Sequence, residues 1–311
     1  MAIGNMKSKV FPSIFLTIIL LVAIDFCCPK DDDYLNTSLY TKAIPSTQNQ
    51  QNIIIKTPIT IENYFQFIDS IVKKHDTLVP YKLSEHLLVR ANSWIIDTLK
   101  NTDYYLMMQR DSFVYNQKEM IVLPTGAQLI LPDSILAQKL LQSFQKTHID
   151  INIPEFKLRI YEDTLKLHEF PIRVGRNERK YLKMADGVVD LKTRTGTGHI
   201  VKHVRNPDYY NPVNGHKYFL TKRDDGKVTK LPQIPFIETE INGVRNGQLI
   251  HPTTNPITLN KAYSNGCIGT KESDVWVIYY YAPIGTKIKV RYDLTVVDSL
   301  HQKLILEDIY N

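Results

Sequence analysis

The chain has 311 residues, 43% of them hydrophobic and 23% charged, enough apolar content to fill one large core or two moderate ones. Those proportions exclude a disordered polymer and a multi-span membrane protein. The net charge of +6 is a mild basic excess that fits an anionic polymer as partner, but it lacks the dense Lys and Arg clusters of a nucleic-acid binder, so no nucleic acid is expected.

Lys7 and Lys9 precede an apolar run from Val10 to Ile24, which Asp25 interrupts. The run is about fifteen residues, and a membrane span needs roughly 20. A basic start and a short apolar core predict a signal peptide over residues 1–28. Cys27 and Cys28 follow that core directly, and a cysteine there predicts lipid attachment, at Cys28 or at Cys27. Cys28-Pro29-Lys30 followed by three aspartates resembles the surface-export signal of lipoproteins from the Bacteroidetes. The expected location is outside the cytoplasm, in the periplasm, anchored by lipid to a bacterial membrane, with the outer membrane favoured. Residues 29–57 are polar and read as a tether between anchor and folded part.

Residues 58–146 read as mainly helical. Ile61, Tyr64, Phe65, Ile68, Ile71 and Val72 recur at three- and four-residue spacing and form one apolar stripe. Leu87, Leu88, Ala91, Ile95 and Leu99 repeat that pattern over Ser84 to Leu99, and Ile135 to Phe144 gives a third segment. Between them, Met120 to Pro132 reads as two short strands around Pro124-Thr125-Gly126, a hairpin that resembles the closing strand of a LysM wall-binding module.

After Thr147 the period changes from helix to strand. Phe156 to Tyr161 alternates, turns at Glu162-Asp163-Thr164 and resumes at Leu165, a hairpin pattern. Further strands are expected over Phe170 to Val174, Gly198 to Val204, Lys217 to Leu220, Phe236 to Ile241 and Lys287 to Tyr292. A late helix is expected over Ser273 to Tyr281, with Ser273 as its cap. The predicted class is therefore α+β: a mainly helical accessory domain over 58–146, a β-rich domain over 147–293, and a tail over 294–311.

The chemistry points to Cys267, in Ser264-Asn265-Gly266-Cys267-Ile268, with His251 sixteen positions upstream. Without Cys27 and Cys28 it would be the last thiol in the chain. A thiol attacks only as its thiolate, and a neighbouring imidazole is the usual means of making one. Gly266 lets the backbone approach a substrate closely, so the amides of Gly266 and Cys267 are candidates for an oxyanion hole. Ser264 can orient a neighbour through its hydroxyl. His199 and His203 are spaced to share a metal on a helix, but their flanks read as strand, where four residues span about 13 Å; no metal site is expected. Lys202 and Arg205 are candidates for binding carboxylates, and residues 181–197 are long enough for a lid.

Several motifs together resemble the YkuD-type catalytic domain of L,D-transpeptidases, over about Ile151 to Tyr292. His251, Ser264, Gly266, Cys267 and Ile268 fall on the family's His and Ser/Thr-His-Gly-Cys-aliphatic positions. Phe170-Pro171-Ile172-Arg173-Val174-Gly175-Arg176 resembles the opening strand, Thr193-Arg194-Thr195-Gly196 the Thr-Pro-Thr-Gly turn, Asn206 to Pro212 the loop beside the donor site, and Gly285 to Val290 the final strand. Asn265 stands where the family usually has His, and Gly269 where it often has Arg or Asn; Asn265 can support a loop by hydrogen bonding but cannot act as a base. The resemblance implies a Cys267 thioester enzyme with His251 as base, acting on peptidoglycan stem peptides without metal or organic cofactor. It implies 3-3 cross-linking with release of D-alanine, or, with water as acceptor, an L,D-carboxypeptidase or thiol hydrolase. Tyr209 and Tyr210 would wall the cleft. A non-catalytic wall-binding protein on the same fold is the reading from outside the enzymes.

Overall fold

The computed structural model describes residues 52–297 and 300–311. The expected signal peptide, both candidate lipid-bearing cysteines and most of the tether lie outside the described residues. The described residues cluster as one compact unit. Among the described residues, no helix is long and apolar enough to cross a membrane.

An eight-stranded sheet organises this unit. Its strands are β1 (Thr147–Asn152), β2 (Lys157–Glu162), β3 (Leu165–Pro171), β4 (Gly196–Val204), β5 (Phe236–Ile241), β6 (Leu249–Pro252), β7 (Ile268–Thr270) and β8 (Lys287–Arg291). They lie in the order β7-β6-β5-β4-β8-β1-β2-β3. The pairs β6–β7 and β8–β1 are parallel and the others antiparallel. Strand alternation explains the layering: in β5 every second residue is buried, and in β8 Ile288 and Val290 go inward while Lys287 and Lys289 stay exposed.

The described residues form six α-helices: α1 (Ile61–His75), α2 (Glu85–Ala91), α3 (Trp94–Lys100), α4 (Tyr104–Met108), α5 (Ser134–Lys146) and α6 (Glu272–Tyr281). The stripe read over Ile61 to Val72 is the buried side of α1. The run from Ser84 to Leu99 is two helices, because the Asn92 amide donates to Leu88 O and Ile130 O and accepts from Ile130 N, which ends α2. Helix α6 follows the cysteine strand and is buried almost all round. Its cap is Lys271; Ser273 lies inside the helix and gives its N–H to Asp103 at 2.9 Å. One hydrophobic core runs from Ile55 to Val290 through helices and sheet alike. The change at 146/147 is therefore a change of secondary structure within shared packing.

Three other expectations are corrected. The tether ends early, since Asn52–Ile54 pair with Gln128–Ile130. The strands flanking Pro124-Thr125-Gly126 do not pair with each other: Ile121–Leu123 pair with Ile59–Thr60 instead. Backbone bonds from Ile55 to Gly126 and Ala127 draw the turn toward the N-terminal strand, so no LysM-like hairpin forms. The tail also packs: Thr295–Val297 pair with Lys303–Ile305, and the Tyr310 ring stacks on Tyr292.

Candidate active site

β6 and β7 place the two candidate side chains, His251 and Cys267. In their parallel register Ile250 faces Ile268 and His251 faces Gly269. Ile250 and Ile268 are buried beneath, so alternation puts His251 on the opposite face, the one that Cys267 and Gly269 share. Cys267 is a free, half-buried cysteine at the entry to β7.

Hydrogen bonds hold the turn before it. Ser264 Oγ donates to Cys267 O at 2.5 Å and accepts from Gly266 N at 3.2 Å. Ser264 is thus a positioning residue, and its bond engages the Gly266 amide that the sequence suggested for an oxyanion hole. The Cys267 amide is left as the candidate donor. Gly266 has φ +108°, in the region that excludes side chains. Thr193 Oγ1 donates to Gly266 O at 3.0 Å and accepts from Gly175 N at 2.8 Å. Thr193 N donates in turn to Tyr310 Oη at 2.9 Å, and that hydroxyl donates to Gly175 O at 2.8 Å. The stretch read as a lid is a hairpin of Arg179–Leu182 with Gly187–Asp190, followed by Thr193 fastened to the cysteine turn.

Asn265 is held from the same opening segment: its Oδ1 accepts from Arg176, which pairs with Glu178 at 3.3 Å. Gly269, the other departure from the family pattern, faces Arg173. A Cβ on Gly269 would lie 2.5 Å from Arg173 Nε and 2.8 Å from its Cγ. The Arg173 side chain thus fills, from a neighbouring segment, the space of a residue-269 side chain.

These contacts set the electrostatics. The His251 ring bonds Pro252 O through Nδ1 at 2.8 Å. A carbonyl only accepts, so Nδ1 carries the proton and Nε2 is free to take one. Burial, with Arg173 second, lowers the His251 pKa to about 4. Burial pushes the Cys267 thiol above its ordinary value, opposed by the Leu249 backbone and by the Arg173 cation. The resting pair is therefore a thiol beside a neutral imidazole.

The remaining candidates divide. Tyr209 packs edge-on against Phe236 at 5.2 Å, and Phe236 packs on His251 at 5.3 Å; Tyr209 thus backs the ring that touches His251, with its hydroxyl donating to Pro232 O at 2.9 Å. Tyr210 is 42% exposed beside Lys217, away from this stack. Lys202 is exposed on the His251 face, in register with Glu238 and so separated from β7 by β5 and β6. Arg205 is not in the site. It is pinned between α1 and α2 by Asp69 at 2.7 Å and the buried Glu85 at 2.6 Å. His199 lies 4.0 Å from Glu240 while His203 stacks on His86, so the two do not converge. Sequence reasoning missed Arg173, Arg176, Thr193 and Tyr310 as site residues. A strand glycine marks close approach by another group, and Gly269 was the available signal for Arg173.

Residues 146–290, a little under half of the chain, match the model of the YkuD family, the L,D-transpeptidase catalytic domain. This region is a YkuD domain. Solved structures similar to it include an L,D-transpeptidase from Mycobacterium smegmatis, 14% identical over 47% of this chain and 58% of that one, TM-score 0.33. L,D-transpeptidase 3 from Mycobacterium tuberculosis, in complex with a faropenem-derived adduct, is 17% identical over 47% of this chain and 60% of that one, TM-score 0.32. The L,D-transpeptidase from Xylanimonas cellulosilytica is 11% identical over 76% of this chain and 97% of that one, TM-score 0.35. The YkuD domain thus spans under two thirds of the two mycobacterial chains. No curated protein matches this chain.

Proposed function

We propose that the protein is a peptidoglycan L,D-transpeptidase that forms 3-3 cross-links between stem peptides through a Cys267 thioester. The observation that carries this reading is the placement of His251 and Cys267 on one face of adjacent parallel strands, with Nδ1 held by Pro252 O and Nε2 free.

The Cys267 proton passes to His251 Nε2 as Sγ attacks the carbonyl between the third, diamino-acid residue of a stem and its terminal D-alanine. The Cys267 amide donates to the developing oxyanion. The C–N bond then breaks, Nε2 returns the proton to the departing nitrogen, and D-alanine leaves a thioester on Sγ. An amine of a second stem attacks that thioester; its proton goes through Nε2 to Sγ as the new amide forms. Water in place of the amine yields a trimmed tripeptide, the L,D-carboxypeptidase outcome.

The test is incubation of the chain, without residues 1–28, with disaccharide-tetrapeptide and mass spectrometry of the products. A dimer lighter by one D-alanine supports the transpeptidase; tripeptide monomer alone moves the assignment to a hydrolase. Wild-type protein should form a carbapenem adduct that Cys267→Ala does not. No turnover and no adduct would leave a wall-binding protein. We further propose export and lipid anchoring through Cys28 or Cys27, with the outer membrane favoured, as expected from the sequence of residues 1–33. Metabolic labelling with a lipid analogue tests this, and absence of label removes it.

A further inference from the structure

Arg173 is the least compensated cation near Cys267. Among the described residues it makes no ion pair, and its one side-chain hydrogen bond runs from Nη1 to Thr258 Oγ1 at 3.2 Å. Its Nε is buried with no partner. Burial depresses its own pKa, and the groups that oppose this are Cys267, Tyr218 and Tyr263, none of them a carboxylate. A desolvated guanidinium without an anion is costly unless an anion arrives. Three other sequestered arginines are paired with carboxylates: Arg223 with Glu272 at 2.5 Å, Arg159 with Glu169 at 2.8 Å, Arg291 with Asp150 at 2.9 Å; Arg90, which also lacks an ion pair among the described residues, is instead covered by the Tyr281 ring, 3.6 Å from its guanidinium carbon.

The position of Arg173 says where that anion would sit. Its shaft crosses Gly269, the register partner of His251 and the second residue after Cys267. The group that departs from the acylated cysteine leaves toward His251, which protonates its nitrogen. On an amino acid, the α-carboxylate is one carbon from that nitrogen. A planar guanidinium with an unused Nε–H is suited to a carboxylate.

We propose that Arg173 is the specificity residue for the donor, binding the free α-carboxylate of the terminal residue that leaves. This rests on Cys267 as the acyl-forming nucleophile and goes further by naming the residue that reads the departing end. A stem with an amidated or extended end is a poor donor.

The experiment compares a stem tetrapeptide ending in D-alanine with the same peptide ending in D-alaninamide, by mass spectrometry, in wild type, Arg173→Gln and Arg173→Lys. A charge-assisted hydrogen bond corresponds to roughly tenfold to a hundredfold in kcat/KM. Wild type should prefer the free acid by that factor. Arg173→Gln should bring the acid-to-amide ratio near one, and Arg173→Lys should retain part of it. Thermal melts of each variant establish folding, and the ratio, measured within one variant, is insensitive to the amount of folded protein. Equal turnover of both peptides by wild type, or a ratio unmoved in Arg173→Gln, overturns the assignment while leaving the thioester enzyme standing. Turnover of neither peptide by wild type, together with no carbapenem adduct on Cys267, overturns both.

Discussion

Gly269→Ala isolates the contact on which the Arg173 assignment depends. Gly269 is not among the glycines with positive φ, so alanine suits its strand backbone and the perturbation is purely one of space. The new methyl would fall 2.5 Å from Arg173 Nε, 2.8 Å from Cγ and 3.1 Å from Cδ. Contacts that short do not persist, and the neighbour that must yield is a side chain held by one hydrogen bond to Thr258. If Arg173 stays and the strand yields, overpacking costs about 1–3 kcal/mol. At about 2–4 °C per kcal/mol for a fold of this size, the melting temperature falls by about 2–12 °C. If Arg173 swings away, the melting temperature moves less, and the preference for a free-acid donor falls instead. In both cases Arg173→Ala relieves the crowding, so the pair Gly269→Ala/Arg173→Ala should be more stable than the sum of the single changes implies, by about 0.5–3 kcal/mol. Scanning calorimetry of the four proteins, with the acid-to-amide ratio for those that keep Arg173, checks this. Strict additivity, or a Gly269→Ala protein unchanged in both stability and selectivity, would refute the reasoning.

Other outcomes follow from the site and its supports. With the His251 pKa near 4, its base form is lost only as pH falls through that value, so carbapenem acylation should hold between pH 5 and 7 and fail near about 4; an acid limb at pH 6–7 would contradict the burial of the ring. With the thiol raised, iodoacetamide alkylation of Cys267 in His251→Ala should climb throughout the neutral range and still be rising near about pH 9, and a plateau below pH 7 would mean a preformed thiolate. Tyr310→Phe removes the hydroxyl that joins Thr193 N to Gly175 O. It should cost about 1–3 kcal/mol and slow acylation, since Thr193 also holds Gly266; an unaffected acylation rate would separate the tail from the site. Arg223→Met leaves Glu272 buried without its cation and should destabilise by about 3–5 kcal/mol in urea melts, with a smaller loss in Arg223→Met/Glu272→Met.

The parts of the fold legible in the sequence are those with long periodic signals. The stripe of α1, the 157–171 hairpin and the alternation of β5 and β8 need only local pattern, and the motif around Cys267 singled out the candidate pair. The strands that carry that pair were not legible as strands. β6 has four residues and β7 three, too few for alternation to show, and their parallel pairing is a long-range fact. Arg205 misled for a related reason: a basic residue near a substrate loop looks available until Asp69 and Glu85, from distant helices, are seen to hold it. The departures at 265 and 269 read as losses in the linear motif. In three dimensions Arg176 and Arg173, both from the segment that opens the domain, stand against those two positions.

Helix α6 bears on how this catalytic unit can be inherited. It connects β7 to β8 and lies inside the stretch recognisable by likeness, yet much of what surrounds it comes from outside that stretch. Tyr280 meets Tyr64 at 2.6 Å, Tyr279 and Tyr280 both donate to Glu85, and Glu272 is bound by Gln117 at 2.7 Å and by the Tyr104 amide at 3.0 Å. Cutting at residue 146 would strand two tyrosines and a carboxylate without their covering. The unit is recognisable by resemblance but not separable by scissors. Gene rearrangement that moved 146–290 alone into another protein would carry Cys267 and leave behind the ground it stands on, so recombination can shuffle this domain only with its helices attached.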